Sequence, residues 1–99
     1  MQDRISEQSV HILCETVMSL QNAEECRKFF DDLCTIAELK AMSQRIEVAM
    51  MLSENMMYNE IAAKTGASSA TISRVKKCLD YGAGGYQIAL KRRKKTGIK

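Results

Sequence analysis

The stretch YNEIAAKTGASSATISRVKKCL, residues 58–79, decides the fold. Two short helical patterns, over residues 58–64 and 68–79, flank the tripeptide Thr65-Gly66-Ala67. Gly66 tolerates a positive φ, which a tight turn between two helices needs. The stretch therefore predicts two helices joined by a short turn. Two interpretations are open: a plain helical hairpin with a solvated face, or a helix-turn-helix that reads DNA.

Five residues of this stretch supply the packing that a helix-turn-helix requires. Ala62 is small where the first helix approaches the second, and Ile61 faces that second helix. Ile72 and Val75 are three residues apart, so they lie on one side of the second helix. Together with Gly66 they form the complete packing pattern, which favours the helix-turn-helix.

The opposite side of the second helix is small and polar. Ser68 suits the N-cap position, and the small side chains that follow it allow the helix to enter a major groove. Arg74 has the shape to bind a guanine through two hydrogen bonds, and the lysines suit phosphates. The predicted DNA contacts are Ser68, Ser69, Ala70, Thr71, Ser73, Arg74, Lys76 and Lys77. Gln44 and Arg45, in the helix predicted over residues 36–54, are predicted to contact the DNA backbone.

Charge is distributed unevenly along the chain. Residues 1–57 carry five Lys/Arg and ten Asp/Glu, a net charge of −5, whereas residues 58–99 carry ten and two, a net charge of +8. The change begins where the 58–79 stretch begins, which indicates a polyanionic partner for the C-terminal half. The basic residues 91–95 open a tail, residues 91–99, that we expect to be frayed and solvated.

The remaining patterns predict an all-α chain with a single domain over residues 1–99. Thr35 and Glu38 match a capping box, and Asn55 is a stop signal for the long helix that follows Thr35. The apolar faces on this helix and on the first helix are wider than a chain of 99 residues covers alone, which predicts an oligomer. Further helices are predicted over residues 4–20, 24–34, 36–54 and 86–94.

Several classes of protein are not expected. No apolar run has the length of a membrane span and the N-terminus lacks a signal-peptide core, so we expect a cytoplasmic protein without membrane contact. The four cysteines form no C-x-x-C pair, and His11 with Cys14 supplies only two ligands, so no metal site is predicted. Without a nucleophile paired to a base, we expect neither an enzyme nor a cofactor.

Two blocks, ELKAMSQRIEVAMML (residues 38–52) and EIAAKTGASSATISRVKKCLDYG (residues 60–82), resemble the Trp repressor superfamily. The chain is most similar to its YerC/YecD branch of bacterial regulators, over roughly residues 25–90. This resemblance implies a six-helix subunit in an intertwined homodimer. It also implies two helix-turn-helix heads that face successive major grooves.

The resemblance extends to the corepressor site. Arg45 and Arg74 match the two arginines that bracket tryptophan in the Trp repressor, and Thr35 matches a nearby threonine. The glycine that leaves room for the indole is replaced here by Val75. A tryptophan corepressor is therefore not expected, although the three polar residues could form a pocket for another effector.

These observations favour sequence-specific binding of double-stranded DNA by a homodimer. The predicted role is a repressor-like regulator of transcription that does not depend on tryptophan. Two alternatives are open: a helical protein-interaction module with a basic face, and a DNA-binding head of the transposase type.

Overall fold

The computed structural model describes residues 6–95, without the side chain of Lys95. Among these residues there are six helices and no strand, which confirms the predicted all-α fold. The helices are α1 (Glu7–Met18), α2 (Ala23–Leu33), α3 (Ile36–Ser53), α4 (Tyr58–Thr65), α5 (Ser69–Tyr81) and α6 (Gly85–Lys95).

Side-chain caps set where the first three helices begin, and at α1 the Ser6 hydroxyl accepts a hydrogen bond from the Ser9 N–H at 3.3 Å. The Asn22 side chain accepts a hydrogen bond from the Glu25 N–H at 2.9 Å and so caps α2. At α3, the Glu38 N–H donates to the Thr35 hydroxyl at 3.1 Å, and the Thr35 N–H donates to the Glu38 carboxylate at 2.8 Å. This reciprocal pair confirms the predicted capping box. Each such cap stabilises its helix by about 1 kcal/mol.

Residues with a positive φ follow α3 and α4, and Gly84, with a φ of 92°, precedes α6. Asn55 has a φ of 63° after α3, and Gly66 has a φ of 75° after α4. Helix α6 continues through Lys95, so residues 91–95 of the expected tail are helical, and the helix predicted over residues 86–94 is present. No Gly or Pro interrupts this segment, and Lys and Arg are good helix formers. Residues 96–99 of that tail, and residues 4 and 5 of the first predicted helix, lie outside the described residues.

The chain divides into two compact units, residues 1–39 and 40–99. In the first unit, no residue of α1 or α2 is buried. The rings of Phe29 and Phe30 meet edge to face, with centroids 5.5 Å apart. Exposed ion pairs four residues apart, such as Arg27–Asp31 at 2.9 Å, line its helices. Its exposed large apolar residues are Val10, Ile12, Leu13, Met18, Leu33 and Ile36.

The second unit contains the buried core of the described residues. Val48 and Ala49 enter it from α3, and the other buried side chains come from α4, the following turn and α5. Half-buried side chains, including Tyr86 and Leu90 of α6, pack around it. The complete buried cluster is Val48, Ala49, Ile61, Ala67, Ile72 and Val75.

No helix within residues 6–95 is both long enough and apolar enough to cross a membrane. The second unit also has an open groove of about 680 Å³ on its surface. Met50, Leu79 and Leu90 give the groove an apolar lining, and the charged side chains of Lys91 and Lys94 also line it.

Candidate nucleic-acid interface

The turn between α4 and α5 contains only three residues, 66–68. The Gly66 N–H donates to the Ala62 carbonyl oxygen at 2.9 Å and closes α4. A Cβ added at Gly66 would have no neighbour within 4 Å. The glycine is therefore required by its positive φ of 75° and not by lack of space.

Thr65 holds this turn through both its side chain and its carbonyl group. Its hydroxyl donates to the Ile61 carbonyl oxygen at 2.8 Å and accepts from the Ala67 N–H at 3.1 Å. Its carbonyl oxygen accepts from the Gln44 side-chain amide at 3.1 Å. The turn is thus bonded to α4 and to α3.

The inner side of the α4–α5 pair is packed into the core. Ile61 is 0% exposed, and Ile72 and Val75 are each 1% exposed. Ala62 is half-buried and packs against the same cluster. The residues chosen for helix-turn-helix packing thus lie on the buried side of the pair, with Gly66 at its turn.

The outer side of α5 faces solvent. Ser69, Ala70 and Ser73 are exposed, and none is large. Arg74 and Lys77 are exposed as well, and neither forms an ion pair with another described residue. A helix with this outer side combines low bulk with two available cations, as insertion into a DNA groove requires.

Three predicted contact residues have partners inside the protein. The Ser68 hydroxyl accepts from the Thr71 N–H and donates to the Thr71 hydroxyl, both at 3.1 Å. These bonds cap α5, so both hydroxyls already form hydrogen bonds at its first turn. Lys76 Nζ lies 3.2 Å from the Asp80 carboxylate in an exposed pair. Each of these bonds would compete with a contact to DNA.

Gln44 and the candidate effector residues lie in different settings. The Gln44 amide points into the protein, toward the Thr65 carbonyl, whereas Arg45 and Arg74 are exposed. Thr35 belongs to the first unit, where its hydroxyl caps α3, and both arginines belong to the second. The effector pocket stays a prediction.

The local sequence pattern missed three residues that shape this site. Val48 is 0% exposed, and its position four residues after Gln44 and four before Leu52 was the signal for a shared helix face. Ala67 was treated as a turn residue but is only 5% exposed. Thr65 precedes a glycine in the last turn of a helix, where a hydroxyl can bond to the preceding turn.

Metal-binding side chains are scattered. Across residues 6–95, no group of three or more His, Cys, Asp or Glu residues is placed to hold a metal ion. The four cysteines, Cys14, Cys26, Cys34 and Cys78, are free thiols.

The comparisons with known proteins agree with one another. The family model described as Trp repressor protein matches residues 8–94. The uncharacterized protein YerC of Bacillus subtilis (strain 168) is 50% identical over 94 residues, which is 95% of this chain and 90% of YerC.

Two solved structures share the fold. A TrpR-like protein from Eubacterium eligens ATCC 27750 is 46% identical, with a TM-score of 0.85 over 92% of this chain and 94% of its own. The crystal structure of a Trp repressor candidate from Staphylococcus aureus is 40% identical, with a TM-score of 0.85 over 95% of this chain and 91% of its own. From the match of the family model over residues 8–94 and these alignments, the chain belongs to the Trp repressor family.

Proposed function

We propose that the protein is a sequence-specific, double-stranded-DNA-binding regulator of transcription, acting in the cytoplasm as a homodimer. In this proposal the α4–turn–α5 segment, residues 58–81, is a helix-turn-helix, called the reading head below. The observation that carries the proposal is the two-sided character of α5. Ile72 and Val75 are buried on its inner side, while small residues and available cations face solvent on its outer side.

The two kinds of outer residue have different roles in this mechanism. Ser69, Ser73 and Arg74 lie where side chains of an inserted helix meet base edges, so they would determine sequence preference. Lys77 is suited to a phosphate, which fixes position and supplies salt-dependent affinity without reading the sequence. The proposed mechanism therefore separates selectivity from general affinity on a single helix.

The homodimer is supported by apolar surface that one chain leaves uncovered. Ile12 is 55% exposed and Ile36 is 82% exposed in the first unit. The groove of about 680 Å³ in the second unit is also lined in part by apolar side chains. Large exposed apolar surfaces mark protein interfaces. A symmetric dimer would present two reading heads, which bind half-sites about one helical turn apart.

Independence from tryptophan is supported by Val75. This residue stands where the Trp repressor, by resemblance, has the glycine that leaves room for the indole. Its side chain is 1% exposed within the core cluster. An added ligand would meet filled space, and overpacking typically costs about 1–3 kcal/mol. The same side chain tethers α5 without a ligand, so the protein alone should bind DNA.

The experiment is selection of duplexes from a random library, followed by affinity measurements on the selected duplex and on a scrambled one. We expect selective binding whose affinity falls linearly with salt on logarithmic axes, by about −0.9 per phosphate neutralised. Millimolar tryptophan should leave the affinity unchanged. Failure to select any duplex would contradict DNA reading, and a tenfold gain with tryptophan would contradict the independence from tryptophan.

A further inference from the structure

The side chain of Gln44 joins α3 to the turn of the reading head. Its amide nitrogen donates to the Thr65 carbonyl oxygen at 3.1 Å, across 21 residues of sequence. Both residues are half-buried, so water has restricted access to this bond. The bond connects a core helix to the segment that positions α5.

The Thr65 carbonyl needs such a donor. Thr65 is the last residue of α4, and the last four carbonyl groups of a helix have no partner within it. The Gly66 N–H is already bonded to Ala62, and the Ala67 N–H to the Thr65 hydroxyl. Gln44 supplies the donor from outside the turn.

Movement of Thr65 would reach α5 directly. Only residues 66–68 separate it from Ser69, where α5 begins, and Ser68 is the N-cap of that helix. At the other end of the bond, α3 is held by Val48, one turn after Gln44 and 0% exposed in the core. Gln44 therefore transmits the position of a buried helix to the start of α5.

We propose that Gln44 is a positioning residue for DNA recognition, which by holding the Thr65 carbonyl sets the angle at which α5 presents Ser69 and Ser73 to base edges. This inference rests on the proposed function. Hydrogen bonds to bases weaken steeply when their angles are poor, whereas phosphate contacts carry no sequence information. Loss of the Gln44 bond should therefore reduce selectivity more than general affinity.

The test compares Gln44→Met with Ser43→Ala. Gln44→Met keeps the length of the side chain and removes the donor, and Ser43 is its exposed neighbour on α3. For Gln44→Met, we expect affinity for the selected duplex to fall about threefold to tenfold, the effect of one hydrogen bond. Affinity for the scrambled duplex should change by less than about twofold on the same reasoning. In the DNA-free protein, hydrogen exchange at the Gly66 and Ala67 amides should be faster. Ser43→Ala should match the wild type in all three measurements.

The outcomes separate the possible roles of Gln44. An equal loss on both duplexes, or faster exchange with unchanged selectivity, would make Gln44 merely structural and overturn the proposal. Loss of selectivity without faster exchange would make it a direct DNA contact and overturn it as well. If Gln44→Met does not fold, Gln44→Glu repeats the test with the same shape and no donor when ionised. If the wild type selects no duplex, the proposed function fails and the recognition role with it, and exchange alone decides whether Gln44 braces the turn.

Discussion

Residues 6–39 and 40–95 are both helical but are stabilised differently. In the first segment no residue of α1 or α2 is buried, and their helices begin at the side-chain caps Ser6 and Asn22. In the second, Val48, Ile61 and Ile72 are at most 1% exposed in one shared core. Local bonds therefore define the first segment, and long-range packing defines the second.

This difference separates assembly from recognition. Isolated helices of 11 or 12 residues, the lengths of α2 and α1, are marginal in water without tertiary packing. The first segment therefore needs an apolar partner, which the proposed homodimer would provide. The reading head is packed within its own chain, so its shape should depend less on assembly. Four substitutions test this contrast, from the largest expected effect to the smallest.

Ile72→Ala should have the largest effect, because it leaves a cavity in the core of the second segment. Ile72 is 1% exposed, and truncation of a buried Ile typically lowers the free energy of unfolding by about 2–5 kcal/mol. Chemical denaturation followed by circular dichroism measures this change. Tyr81→Ala, on the same helix but 84% exposed, should cost less than about 1 kcal/mol. Equal effects would show that the core does not extend to α5.

Ile12→Asp should weaken the dimer without disturbing the reading head. Ile12 is 55% exposed in one chain. Burying an unpaired polar group costs about 1–3 kcal/mol, and a carboxylate held against an apolar partner should cost at least as much, since it must either stay charged or become protonated. The dimer dissociation constant, measured by sedimentation, should rise about tenfold to a hundredfold. His11→Asp is the control: it places the same charge one residue away, removes no apolar side chain and loses only the exposed contact of His11 with Glu15, so it should leave the constant nearly unchanged. A wild-type protein that sediments as a monomer at micromolar concentration would contradict the proposed dimer, and with it the idea that the first segment depends on assembly.

Gly66→Ala should strain the turn of the reading head. The residue has a φ of 75°, and a left-handed conformation costs an L-residue with a Cβ about 1–2 kcal/mol. The free energy of unfolding should fall by that amount. Gly85→Ala is the matched control, because Gly85 begins α6, has no positive φ and has open space at its Cβ position. It should be neutral or stabilising, and equal losses at the two positions would contradict the assignment of strain to the turn.

Asp80→Asn should have the smallest effect, confined to the outer side of α5. The Asp80 carboxylate lies 3.2 Å from Lys76 Nζ, and exposed pairs of this kind contribute about 0–1 kcal/mol. Releasing Lys76 should raise affinity for all duplexes by at most about fivefold and steepen the salt dependence. Lys76→Ala should abolish this gain in the double variant. A change in sequence preference would instead place Asp80 next to the bases.

Local signals in the sequence were enough to predict most of the fold. Thr35 with Glu38 marks the start of α3, and Gly66 marks the end of α4, because caps and turns depend on neighbouring residues. The inner side of α5 was predictable because Ile72 and Val75 follow the helical period. The family resemblance added the six-helix subunit, and the family match and solved relatives agree with it.

Three other features were not predicted from the sequence. The bond between Gln44 and Thr65 joins residues 21 apart, and no local pattern indicates it. The contact of Gln44 with DNA stays a prediction. Lys76 was predicted as a phosphate contact, and its ion pair with Asp80, four residues later on the same helix, was not predicted. Residues 91–99 were expected to fray because they end the chain, yet α6 reaches Lys95 because nothing in residues 91–95 breaks a helix.

The buried and exposed sides of α5 determine which mutations the reading head can accept. An insertion within the first turn of α5 would rotate every later residue by about 100° around the helix axis. A single insertion would thus remove Ile72 and Val75 from the core and turn the outer residues of α5 away from the proposed DNA. Substitution of Ser69 or Ser73 disturbs no buried contact, because both are exposed. If α5 reads DNA as proposed, a lineage carrying this fold could thus acquire new target sequences by single substitutions, while changes in the length of α5 would be removed by selection.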